Sequence, residues 1–76
     1  MTATKTSTWK PISIEANGRT YSADVEIRGT RSLECIVHFN GRAEADSRKW
    51  GTGAEEQHNM LVMAKAKLIQ MVGDDK

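Results

Sequence analysis

The sequence predicts an α+β domain: a three- to four-stranded antiparallel meander with one C-terminal helix packed across one face. Three observations carry this expectation. Apolar residues alternate with polar ones from Ile12 to Ile27 and again from Leu33 to Phe39, the period of strands with one buried face. Asn17-Gly18 and Asn40-Gly41 are the residue pairs that tight hairpin turns favour. Beyond Thr52 the apolar spacing lengthens to that of a helix with one buried stripe.

The strands follow in order. Residues 1–8 are Thr- and Ser-rich and read as a flexible tail, so the domain is expected over 9–76. Ile12, Ile14 and Ala16 form the first inward row, and Tyr21, Ala23, Val25 and Ile27 the second. A two-residue turn at Asn17-Gly18 sets Ala16 opposite Arg19 and brings both apolar rows to one face. Leu33, Cys35, Val37 and Phe39 make the third row, after a turn over Gly29-Thr30-Arg31-Ser32. A fourth, edge-like strand is expected within 42–49. There a three-residue turn with Gly41 as a bulge is preferred, because it turns Ala43 and Ala45 inward and keeps Arg42, Glu44 and Asp46 out of the core.

The helix is expected from about residue 53 to 72. Thr52 and Glu55 fit a capping box, and Gly73 suits the stop. Ala54, Gln57, Leu61, Ala64, Leu68 and Val72 form the stripe, with Met60, Met71 and Ile69 beside it. Trp9 and Trp50 are expected to cover the two ends of the core.

Composition limits the chemistry. Leu, Ile, Val and Phe together number 13 of 76, a lean core, yet 11 basic residues nearly balance 10 acidic ones, which does not fit a disordered chain. The formal net charge of +1 argues against direct nucleic-acid binding. No run approaches the roughly 18 apolar residues of a membrane span. The lone Cys35 and the lack of an apolar leader set the expected location in the cytoplasm. His38 and His58 have no metal-ligand spacing to each other or to Cys35, so no metal and no cofactor is expected. Without a pocket to shift a carboxylate or activate a nucleophile, no enzyme is expected either.

The distribution that stands out is acidic. With the preferred register, Glu15, Asp24, Glu26, Glu34, Glu44 and Asp46 share the outer sheet face with Ile36, and Met63 projects from the helix away from its stripe. Asp24, Glu26, Glu34, Glu44 and Asp46, with Ile36 and Met63, are therefore the expected partner-binding residues. Complementary charge of this kind speeds encounter with a basic surface and sets specificity. Too little apolar area is left for an obligate oligomer, so a monomer or weak homodimer is expected. The alternative is a small nucleic-acid-binding module using Arg28, Arg42, Arg48, Lys49 and Trp50, in which arginines flank a stacking aromatic.

Asn17-Gly18-Arg19-Thr20-Tyr21-Ser22, followed by two further strands and an apolar C-terminal helix, resembles small proteins of phages and proteobacterial prophages. The resemblance spans about residues 14 to 72, and departs from that pattern where Gly53-Ala54 stands in place of a proline near the helix start. The same size and build recur among anti-CRISPR proteins. The resemblance implies a non-enzymatic inhibitor in the host cytoplasm, occupying a basic, nucleic-acid-binding surface on a host protein or ribonucleoprotein complex.

Overall fold

The computed structural model describes residues 7–74. Four antiparallel strands form one open sheet in the order β1-β2-β3-β4: β1 (Ser7–Ala16), β2 (Arg19–Arg28), β3 (Glu34–Phe39) and β4 (Arg42–Ala45). Among the described residues one helix forms, α1 (Ala54–Asp74), and it lies against the sheet. The α+β meander expected from the sequence is the observed architecture.

The first hairpin closes as its residues dictate. Asn17 and Gly18 take φ values of 56° and 76°, and Ala16 stands opposite Arg19. That register places Ile12 across from Ala23, and β3 adds Val37 across from Val25 and Cys35 across from Ile27. With Leu33 and Trp50 they form the sheet side of the core. Trp50 is only 2% exposed and pairs through its backbone with Leu33, N–H to carbonyl in both directions at 2.8 and 2.9 Å. It caps one end of the core as expected. Trp9 does not cap the other: it is 54% exposed on the outer face.

Three expectations are corrected. β1 begins at Ser7, so Ser7 and Thr8 are paired strand residues opposite Arg28 and Ile27; the rest of the expected tail lies outside the described residues. The second hairpin also has a two-residue turn, with Asn40 and Gly41 at φ 54° and 81° and Phe39 opposite Arg42. No bulge forms, so Arg42, Glu44 and Asp46 face the helix side while Ala43 and Ala45 face outward. The expectation failed because it equated inward with buried. α1 lies on β1, β2 and β3 and its backbone keeps off β4, so the inner side of β4 stays partly in water. The carboxylate of Glu44 is ion-paired there with Arg42 and, at 3.8 Å, with Lys67 of α1.

The helix start also differs by one residue. The Gly53 carbonyl accepts the Gln57 N–H at 3.0 Å, and the carboxylate that folds back is that of Glu56, which accepts the Gly51 N–H at 3.0 Å. Because α1 begins at Ala54, Glu56 is the residue of the first turn whose side chain reaches the preceding loop. The buried face comprises Met60, Ala64, Leu68, Met71 and Val72. It is rotated from the expected stripe: Met60 and Met71 are fully enclosed, Leu61 is half-buried, and Ala54 and Ile69 face solvent.

Candidate functional site on the outer sheet face

The sheet face opposite α1 is organised around Glu26. Its strand neighbours are Trp9 on β1 and Ile36 on β3, so it sits in the middle of the sheet, and it is only 6% exposed. A carboxylate in that position needs partners. Arg28, two residues along the same strand face, donates from Nε to Oε2 at 2.6 Å and from Nη2 to Oε1 at 3.3 Å. The Ser7 hydroxyl donates to Oε2 at 3.2 Å, and His38 Nε2 lies 3.0 Å from Oε1. The Arg28 guanidinium holds the Glu26 carboxyl below the ordinary carboxylate range against the opposing effect of burial, with His38 and Ser7 adding to it. Glu26 in turn raises the pKa of Arg28. An ionised carboxylate only accepts, so His38 carries its proton on Nε2 in this contact.

The Trp9 ring lies over His38, with centroids 4.9 Å apart and planes tilted by 46°. Beside it Pro11, Ser13, Ser22 and Asp24 form the floor of a shallow depression of about 350 Å³. Trp9 is two residues along β1 from Pro11 and so lies on the same face. Glu15 and Asp24 have no ion-pair partner among the described residues, whereas Glu34 lies 4.0 Å from Lys49.

The nucleophile-type side chains near this face and beneath it are held in other roles. Ser7 and His38 both direct protons at Glu26, so neither serves as base for the other. The Cys35 thiol is buried and its pKa is pushed up to about 11, by burial first and then by the charge of Asp46, which keeps it from acting as a thiolate nucleophile. Among the described residues no group of His, Cys, Asp and Glu side chains is placed to hold a metal.

The expected partner-binding residues divide between two surfaces. Asp24, Glu26, Glu34 and Ile36 lie on the outer face as expected, but Ile36 is 8% exposed and Glu26 is internally neutralised, so neither offers a free contact. Glu44 and Asp46 lie on the opposite side, where they border a groove with Met63, which is 46% exposed. The alternative set is dispersed. Trp50 is core, Arg48 lies over its ring at 4.1 Å, Arg42 is bound to Glu44 on the inner side, and Arg28 is held by Glu26.

Ser7 and Trp9 were missed as site residues. Counting alternate residues back from Ile12 places both outward with Pro11, but treating Ser7 as tail and Trp9 as a core cap hid that signal. Compared with protein-family models, curated proteins and solved structures, the chain matches none.

Proposed function

We propose that the protein is a non-enzymatic binding domain whose outer sheet face docks onto a basic surface of a partner protein. One observation carries this reading: a half-exposed tryptophan, fixed over His38 by the Glu26 network, stands on the same face as a shallow depression bordered by Asp24, whose carboxylate has no ion-pair partner among the described residues. Tryptophan is among the residues that most often dominate binding energy at interfaces. A partner arginine whose guanidinium lies on Trp9 gains a cation–π contact and donates from its N–H edge to Asp24. Because Trp9 and His38 are already held in place, little side-chain freedom is lost on docking. Along the line of the phage-protein resemblance, the partner is a host ribonucleoprotein defence complex and the basic surface its nucleic-acid groove.

The test is a phage-plaquing assay in a host with an active CRISPR system, using wild type, Trp9→Ala and the reversal Asp24→Lys with Glu34→Lys. Glu26 is left untouched, since a lysine there would bury a charge against Arg28. Wild type is expected to protect phage, and both variants to lose protection while remaining folded at the assay temperature. No protection by wild type removes the anti-CRISPR reading. Protection that survives both variants removes the outer face as the interface.

A further inference from the structure

We propose that the free edge of β4 and the groove beneath it form a second binding surface, which takes an extended segment of a partner as an added strand and seats one of its Lys or Arg side chains in the groove. The two edges of the sheet are not equivalent. β1 carries Pro11 in its middle, which removes a backbone donor and guards that edge. β4 carries no proline. The Asp46 N–H donates to the Cys35 carbonyl at 2.9 Å, which fixes the alternation along the strand. Arg42, Glu44 and Asp46 turn their backbone groups to β3, while Ala43 and Ala45 turn theirs to the open edge. The small, exposed side chains of Ala43 and Ala45 leave an approaching strand unobstructed.

The groove lies just inside this edge, between β4 and the helix. Cys35, Val37, Met63 and Ala64 give it apolar walls, and Glu44, Asp46 and Lys67 stand at its rim. Its volume is about 120 Å³. A cavity of about 150 Å³ accommodates a benzene ring, and small-molecule sites start near 300 Å³, so this groove has the size for one side chain. Its charge selects which one. Glu44 is served by both Arg42 and Lys67, whereas Asp46 accepts only the Arg48 amide, at 3.1 Å, and has no cation among the described residues. A Lys or Arg entering from an added strand lays its aliphatic stem along Met63 and Val37 and brings its charge to Asp46. On such a strand, the residues facing Glu44 and Asp46 fall at the non-hydrogen-bonded pairs, where side chains approach most closely.

The test is independent of the outer face. Isotope-labelled protein is titrated with a short peptide alternating Lys and Thr, followed by amide and methyl NMR, with a peptide carrying Glu in place of Lys as control. Expected are shifts and slowed hydrogen exchange at the Ala43 and Ala45 amides, a shift of the Met63 methyl, and no response to the Glu peptide. Asp46→Asn is expected to weaken binding about three- to fivefold, the worth of one exposed ion pair. Ala45→Pro removes one of the two outward donors and sets a ring against the approaching strand, and is expected to abolish binding. Ala66→Phe, which fills the groove from an exposed helix position, does the same without touching β4. The proposal is overturned by equal response to both peptides, by shifts confined to the Trp9 face, or by binding that survives both blocking variants. Concentration-dependent protection of the Ala43 and Ala45 amides without peptide also overturns it, because a second copy then occupies the edge. Trp9→Ala is expected to leave this binding unchanged, so its failure and that of the outer-face reading are separable.

Discussion

Met60→Ala and Leu61→Ala, neighbours on α1, are expected to differ by about threefold in cost, because the helix phase hides one and only half-hides the other. Met60 is fully buried against the sheet, and removing such a side chain leaves a cavity in a core that cannot collapse around it. Buried Leu, Ile or Met to Ala costs about 2–5 kcal/mol, and about 3 kcal/mol suits a site under a single helix. Leu61 packs at the margin of the core and keeps part of its surface in water, so its truncation costs about 1 kcal/mol. Unfolding entropy near the midpoint is about 2.1 cal/mol/K per residue, or about 160 cal/mol/K for 76 residues. Met60→Ala should then lower Tm by about 19 °C and Leu61→Ala by about 6 °C. Total stability for this length is about 4–11 kcal/mol, so the first variant is marginal at room temperature and the second is not. Thermal melts followed by far-UV circular dichroism measure both. If Leu61→Ala is the more damaging, the helix is rotated toward the phase with Leu61 at its centre, and the core described above is wrong.

Two further predictions concern the sheet and its connections. The Glu26 carboxyl is held below its ordinary value of 4.5, so its stabilisation is complete above that value and is lost as pH falls through the lowered folded one. The difference in urea midpoint between wild type and Glu26→Gln should therefore shrink on acidification; a difference that stays constant refutes the assignment. Gly29 has φ +115° and a side-chain carbon there would lie 2.2 Å from the Ser32 carbonyl oxygen, whereas Gly18 at φ +76° has open space around it. Gly29→Ala should cost more than about 2 kcal/mol and Gly18→Ala about 1 kcal/mol in denaturant titration, and equal costs would contradict the loop geometry.

Much of the fold was legible because local chemistry and the global register agree. Asn17-Gly18 set the turn, the turn set the pairing of Ala16 with Arg19, and the pairing put Ile12, Ala23 and Val25 on one side. Asn40-Gly41 carried the same signal, but it was overruled by concern for the carboxylates of Glu44 and Asp46. That concern assumed a helix covering the whole sheet, and where a helix lies across strands is a tertiary fact that strand periodicity does not encode. The candidate site shows the converse. Glu26 has outward parity and was expected to be solvated, yet Arg28, His38 and Ser7 enclose it. Two of these partners come from other strands, and their convergence depends on register across the sheet rather than on spacing within one segment.

The packing of α1 on β1 joins the first described element to the last, and this governs when the chain can fold. During synthesis β1, β2 and β3 can pair as soon as each emerges, since every connection in the meander is local. The resulting sheet then presents Val25, Ile27 and Val37 to water with nothing to cover them, until Met60, Leu68 and Met71 have been made. A sheet with its apolar face uncovered is prone to stick to others. The last third of the sequence therefore decides the outcome for the first two. Slow translation before α1 prolongs the vulnerable interval.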